Sequence, residues 1–79
     1  MTYELVGMNH KARVRIDGND ATLESYATEV AFLVDGVLYR ADGQPQSNTT
    51  ARHMREFAIQ NGFPRMTKAE LMKLPVKEA

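Results

Sequence analysis

The stretch TEVAFLVDGVLYRADG, residues 28–43, decides the fold of this chain. In it, two runs of β-branched, aromatic and aliphatic residues flank Asp35-Gly36. This dipeptide is a strong signal for a two-residue hairpin, because a type I′ turn needs a positive φ at both positions. Since both sides of the hairpin are then apolar, we predict a central place for it in the sheet, with a helix packed on one face. The turn sets three cross-strand pairs: Val34 with Val37, Phe32 with Tyr39, and Leu33 with Leu38.

A second stretch, KARVRID at residues 11–17, alternates strictly between apolar and basic side chains. This period of two predicts a strand with one buried face and one wet, basic face. The apolar run YELVGM at residues 3–8 has strand character, and residues 7–10 suit a hairpin connection between the two strands. Residues 21–27, ATLESYA, are ambiguous. The sequence therefore predicts an antiparallel sheet of three to four strands within residues 1–45, which are mainly β.

A main helix is predicted over residues 49–62. Thr49 or Thr50 is the natural N-cap, since a hydroxyl can accept hydrogen bonds from the free amides of the first turn. The end is marked by residues 61–64, NGFP, with Gly62 in the left-handed conformation and the proline preventing continuation. Four residues form the apolar stripe of the helix at helical spacing: Ala51, Met54, Phe57 and Ala58.

A short second helix is predicted over residues 67–74. Thr67 and Glu70 have the spacing of a capping box, and Pro75 lies just beyond the end of the helix. Residues 75–79 are expected to fray. The predicted fold class is therefore α+β, an antiparallel sheet packed with one main C-terminal helix and one short helix.

Seventy-nine residues suffice for a single small domain, residues 1–79, whose core alone gives marginal stability. The absence of Cys excludes disulfides and thiolate zinc sites and is typical of the reducing cytoplasm. No apolar run reaches the roughly 20 residues that span a bilayer, and the first residues lack the pattern of a secretory signal. We expect a cytoplasmic protein without membrane contact, and a homodimer would supplement so small a core.

The ten basic and ten acidic residues are unevenly distributed along the chain. Residues 17–42, the acidic segment, hold six acids and one cation, whereas residues 50–77, the basic segment, hold six cations and two acids. This polarity can orient the protein on a charged partner. Equally, the two segments can attract each other and stabilise the fold.

The residues that catalysis or metal binding needs do not form a recognisable pattern. The chain has no Cys nucleophile and no glycine-rich phosphate loop after a strand. Its two histidines, His10 and His53, lack metal-ligand spacing, and residues 17–20, DGND, lack the ligand pattern of a calcium loop. We therefore expect no metal, no cofactor and no enzymatic activity.

The start of the main helix carries an unusual charge pattern. Arg52 and Arg55 stand near the positive end of the helix dipole, where cations are unfavourable. One interpretation is an anion-binding site formed by Thr49, Thr50 and Arg52 with the free amides. Another is plain capping, with Arg52 paired to Glu56. A third is a partner-binding surface with an apolar residue between two cations. Its members are Arg52, Arg55 and Ile59.

The basic face of the strand at residues 11–17 offers an alternative surface, formed by Lys11, Arg13 and Arg15. Alternate strand residues lie about 7 Å apart, so these side chains can follow a nucleic-acid backbone. Basic strand faces also protect against aggregation. No aromatic residues interleave with this row as they do in RNA-binding sheets.

Residues 24–63 resemble a family of small uncharacterised proteins carried by bacteriophages and prophages. In that family a segment S-Y-x-T-x-V-A and a short hairpin precede a helix with S-x-T-T-x-R/K-H, then E-F and a closing G. The resemblance implies a phage origin and no established activity. It also implies that Thr49, Thr50 and His53 determine the fold, the hydroxyls by capping and His53 by bonding across to the hairpin. The matching residues are Ser25, Tyr26, Thr28, Val30, Ala31, Ser47, Thr49, Thr50, Arg52, His53, Glu56, Phe57 and Gly62.

These observations lead to one functional hypothesis and two alternatives. Small phage proteins without catalytic residues commonly bind and block a host machine. We therefore expect a non-catalytic accessory protein that occludes a host protein or nucleoprotein complex, for example an anti-CRISPR-like defence antagonist. The first alternative is direct nucleic-acid binding, which a steep salt dependence would distinguish. The second is a minor virion or assembly component, which would co-purify with particles.

Overall fold

The structure, a computed structural model, describes residues 1–5 and 11–77. Within these ranges five antiparallel strands form one sheet in chain order, and two helices follow. The predicted α+β class is confirmed, but the sheet has five strands rather than three to four. The connection predicted at residues 7–10, which include His10, lies outside the described residues. The elements are β1 (Thr2–Glu4), β2 (Ala12–Asp17), β3 (Asp20–Ser25), β4 (Thr28–Val34), β5 (Val37–Arg40), α1 (Asn48–Gln60) and α2 (Lys68–Leu71).

The additional strand is β3, which comes from the ambiguous residues 21–27. It pairs along its whole length with β2 and continues into β4 through a two-residue turn. The turn residues, Tyr26 and Ala27, have φ angles of 52° and 66°. Turns of this kind usually hold Gly, Asn or Asp, so the sequence carries no turn signal at this position.

The Asp35-Gly36 hairpin forms as predicted, with φ angles of 51° and 78° and all three predicted cross-strand pairs. Its predicted central place is wrong, because β5 is the last strand of the sheet. On the outer side of this hairpin, the Lys77 ammonium lies 4.6 Å from the centroid of the Phe32 ring, whereas Val37 is 44% exposed. Arg40, at the end of β5, pairs through its backbone with Pro75 and Lys77.

The core lies between one face of the sheet and α1. Val14, Leu23 and Ala31 are neighbours across three strands, so their side chains share this face. The four residues of the predicted helix stripe are all buried in the same cluster, and Phe57 is fully inaccessible. The prediction that a helix covers one face of the sheet is therefore confirmed.

The sequence predicts the end of α1 better than its start. Ser47 is the N-cap, and its hydroxyl accepts a hydrogen bond from the Thr50 amide over 3.1 Å. The predicted cap, Thr49 or Thr50, is wrong because the Ser47 hydroxyl accepts the hydrogen bond from the Thr50 amide. At the other end Gly62 has φ 88°, and the Phe63 amide donates to the Ala58 carbonyl, as the predicted C-cap requires.

The short helix α2 begins with the predicted capping box. The Glu70 amide donates to the Thr67 hydroxyl, and the Thr67 amide donates to the Glu70 carboxylate. The bond from the Thr67 amide is the main cause that lowers the pKa of the Glu70 carboxyl. The helix ends at Leu71, three residues earlier than predicted. Residues 75–77, predicted to fray, bridge to the end of β5 instead.

Candidate functional site

The three residues predicted to bind a partner, Arg52, Arg55 and Ile59, lie on one side of α1, within about 60° of each other around the helix axis. Arg52 is exposed and takes part in no ion pair within residues 1–5 and 11–77, so the expected pair with Glu56 is not formed. Ile59 is 37% exposed. Arg55 is half-buried, and its Nε donates to the Met66 carbonyl. Arg55 therefore holds the loop before α2 in addition to lining the surface.

A cleft of about 340 Å³ opens beside Arg55, between α1 and the start of α2. Among the described residues that line it, three are cations and none is an acid. We call this cleft the basic cleft. From the sequence only the net positive charge of the basic segment was visible. The cleft itself was not, because its cations come together only when the chain folds back at residues 61–64. The lining residues are Arg55, Arg65, Met66, Thr67 and Lys68.

In the first turn of α1, the amide and hydroxyl of Thr50, which were predicted to bind an anion, already form hydrogen bonds within the protein. The Thr50 amide is already bonded to the Ser47 hydroxyl, which in turn donates to the Thr50 hydroxyl, and Thr50 is 8% exposed. Thr49 is exposed. With Ser47 as the cap, Arg52 is the fifth residue of the helix. The helix dipole acts mainly on the first turn, so it opposes Arg52 less than the sequence indicated.

In the predicted basic row, Arg15 is held by two carboxylates of the strands β3 and β4. The Arg15 guanidinium donates to the Glu29 carboxylate over 3.0 Å and lies 3.8 Å from Glu24. The bond to Glu29 is the main cause that raises the pKa of Arg15. Glu24 and Glu29 face each other on β3 and β4, so Arg15 offsets their repulsion. Lys11 and Arg13 are exposed.

A second cleft, of about 320 Å³, lies at the turn between β3 and β4. We call it the turn cleft. Tyr26 is 54% exposed there, and the Lys11 ammonium is 5.6 Å from the centroid of the Tyr26 ring. Sequence reasoning missed Tyr26, because only the unexpected turn brings an aromatic ring beside the basic row. The lining residues are Lys11, Arg13, Glu24, Tyr26 and Ala27.

A buried polar pair ties this turn to α1. The Ser25 hydroxyl and Nδ1 of His53 are 2.7 Å apart, and the His53 ring lies 5.8 Å from the Tyr26 ring. The expectation that His53 bonds to the Asp35-Gly36 hairpin is therefore corrected, since its partner lies at the neighbouring hairpin. Ser25 is 3% exposed and His53 is fully buried. The pair thus joins helix and sheet and does not present a nucleophile to solvent.

Burial is the main cause that lowers the pKa of His53, and the positive charges of Arg52 and Lys11 act in the same direction. Nε2 of the ring is buried without a hydrogen-bond partner in the described part of the chain. Within that part, no three His, Cys, Asp or Glu side chains converge on a possible metal position. No helix there has the length and hydropathy to cross a membrane.

A comparison with known protein families shows which family this chain belongs to. The family model of DUF8033, a family of unknown function, matches residues 4–73. No curated protein and no solved structure matches the chain. Because the match covers most of the 79 residues, the chain is a member of the DUF8033 family.

Proposed function

We propose that this protein is a non-catalytic binding protein that docks its basic cleft against an acidic surface of a host protein. It would act in the host cytosol as a phage accessory protein that occludes a host machine, for example as an anti-CRISPR-like defence antagonist. The observation that carries the proposal is the basic cleft, where three cations, and no acid from the described part of the chain, line one concavity.

Charge complementarity gives such a surface its specificity and association rate. In the basic cleft Arg65 is exposed, and neither Arg65 nor Lys68 forms an ion pair within the described ranges. Their charges are therefore available to a partner's carboxylates. Arginine also binds carboxylates through two parallel hydrogen bonds, which adds geometric specificity.

The exposed side of α1 extends the surface beyond the cleft. Ile59 supplies an apolar contact next to the cations, and small clusters of apolar and arginine residues carry much of the binding energy of interfaces. Arg52 adds a further exposed cation. Arg55 contributes differently, because its Nε already supports the Met66 carbonyl. Substituting Arg55 would therefore mix folding with binding, so the test below leaves it unchanged.

The experiment compares three forms of the protein as bait in a bacterial lysate, with captured proteins identified by mass spectrometry. The forms are wild type, the double variant Arg65→Glu/Lys68→Glu, and the matched control Lys11→Glu/Arg13→Glu, which reverses the same charge in the turn cleft. We expect a host protein that wild type and the control capture and the first variant loses. If the first variant and wild type capture the same proteins, the basic cleft is not the binding surface.

A further inference from the structure

We propose that the turn cleft is a second binding site and that it takes single-stranded nucleic acid. One base would stack on the Tyr26 ring while Lys11 and Arg13 hold the adjacent phosphates. This site is separate from the basic cleft and does not depend on the function proposed for it.

The first argument is the backbone of the turn. Tyr26 has φ 52°, a conformation that is uncommon for a bulky side chain and that Gly or Asn adopts at lower cost. A turn that served the fold alone would be more stable with one of those residues. Backbone strain of this kind concentrates at ligand-binding sites. Here it holds an aromatic ring 54% exposed at the rim of a cleft.

The second argument is the support beneath the ring. His53 is fully buried 5.8 Å from the Tyr26 ring and is fixed to Ser25, the residue before the turn. This contact connects the turn to α1 and restricts the position of Tyr26. A ring held in place loses little conformational entropy when a base stacks on it.

The third argument is the charge around the ring. Lys11, just before β2, and Arg13, in β2, stand two residues apart, a spacing of about 7 Å in extended chain, and are both exposed. Arg15, the next cation of the row, forms an ion pair with Glu29, so we do not include it among the phosphate contacts. Stacking of bases on aromatic rings beside a basic groove is the common mode of single-strand binding. The bases of a duplex are already stacked on each other, so a duplex would use the cations alone.

Glu24 is the acid of this cleft and bears on which bases are preferred. A glutamate carboxylate accepts hydrogen bonds from the exocyclic amino group of cytosine. Glu24 is also 3.8 Å from Arg15, which offsets part of its repulsion of phosphates. We therefore expect cytosine-containing strands to bind more tightly than strands of thymine.

The test uses a fluorescein-labelled single-stranded DNA of mixed sequence, about 12 nucleotides long, within the usual site sizes. Fluorescence anisotropy measures its affinity for wild type, Tyr26→Asn and Tyr26→Phe. Asn tolerates the left-handed conformation, so Tyr26→Asn keeps the turn and removes the ring. We expect Tyr26→Asn to bind about 5- to 150-fold more weakly, the loss of one base stack. Tyr26→Phe should bind close to wild type, because the ring is retained.

Salt dependence tests the cations in the same assay. Two phosphate contacts on a single strand give a slope of log K against log salt of about −1.4, and Lys11→Ala should reduce its magnitude by about 0.7. The double variant Arg65→Glu/Lys68→Glu should leave the oligonucleotide affinity nearly unchanged. The Lys11 and Arg65/Lys68 variants therefore show separately whether the proposal for the turn cleft or the proposal for the basic cleft is wrong.

Four results would overturn the proposal. The first is a wild-type protein that does not bind the oligonucleotide at low salt, and the second is a Tyr26→Asn protein that binds it like wild type. The third is a duplex of equal length that binds as tightly as the single strand. The fourth is a poly-glutamate peptide whose binding shows the same dependence on Tyr26, since the turn cleft would then take an acidic protein.

Discussion

At the scale of single residues, His53 joins the two layers of the molecule through one side chain. Nδ1 of its ring is at hydrogen-bond distance from the Ser25 hydroxyl, while its Nε2 is buried without a partner in the described part of the chain. A proton on this ring would place a charge in a desolvated site near Arg52 and Lys11. The folded protein therefore disfavours the imidazolium form.

We predict that acidification destabilises the protein through His53. Because the pKa of His53 in the folded state lies below its ordinary value of 6.5, the unfolded state binds the proton first as the pH falls. The stability that the buried, neutral His53 contributes is therefore fully present above about pH 6.5, and it is lost as the pH falls from there to the folded-state pKa. Denaturation with guanidinium across this window measures the loss.

The variant His53→Gln provides the control for this prediction. Wild type should lose stability as the pH falls, whereas His53→Gln should show a much smaller change because the titrating group is gone. If His53→Gln depends on pH as steeply as wild type, another group is responsible.

Ala27 gives a second prediction at this scale. Its φ of 66° costs an L side chain roughly 1–2 kcal/mol, and glycine avoids this cost but loses roughly 0.5–1 kcal/mol more chain entropy on folding. Ala27→Gly should therefore raise the free energy of unfolding by up to about 1.5 kcal/mol, which calorimetry detects as a higher Tm. The control, Ala69→Gly in α2, should lower Tm. A lower Tm for Ala27→Gly would show that Ala27 is not strained.

At the scale of elements, the two hairpins differ in how far sequence predicts them. Asp35-Gly36 is a turn that its own residues specify, so its geometry and cross-strand pairs were predictable. The turn at Tyr26 and Ala27 has the same signs of φ but no residue that favours them. It forms because β3 and β4 pair along their length and impose it, and such long-range pairing leaves no local pattern.

The ends of the helices are likewise predictable only where the local sequence specifies them. The C-cap of α1 and the capping box of α2 were predictable because each is a local pattern with few alternatives. The start of α1 offers four candidate caps in a row, residues 47–50, each with a side chain able to accept from an amide. The choice of Ser47 follows from the packing of the helix on the sheet, which buries Thr50.

We predict that Ser47→Ala lowers the free energy of unfolding by about 1 kcal/mol, the usual cost of losing an N-cap. Thr49→Ala is the matched control, because Thr49 is exposed and its side chain makes no hydrogen bond within the described residues. This change should stay within about 0.5 kcal/mol of wild type. Urea denaturation of the three proteins measures both values. Equal losses for the two variants would contradict the assignment of Ser47 as the cap.

At the scale of the whole molecule, one helix covers one sheet, and Phe57 is the largest fully buried side chain between them. We predict that Phe57→Ala costs about 3–5 kcal/mol, the usual loss for a buried phenylalanine. A domain of this size has little more stability than that, so the variant should be largely unfolded at room temperature by circular dichroism. A variant that melts within a few degrees of wild type would contradict this packing.

The distribution of charge over the molecule was only partly predictable. The basic segment was visible in the sequence, but its cations divide between the basic cleft and other surfaces only in the folded chain. The acidic segment supplies Glu24 and Glu29, which bind Arg15 of β2 and so neutralise part of the basic row. Sequence could not show this, because the turn at Tyr26 and Ala27, which sets Glu29 of β4 beside Glu24 of β3, carries no sequence signal.

The most direct test of the proposed function is the affinity of the captured host protein for wild type and for Arg65→Glu/Lys68→Glu. Isothermal titration calorimetry measures the two dissociation constants at the same salt concentration, after melting curves have shown that both proteins are folded. We expect the variant to bind at least about 30-fold more weakly, a loss of about 2 kcal/mol. Dissociation constants within about twofold of each other would contradict the account.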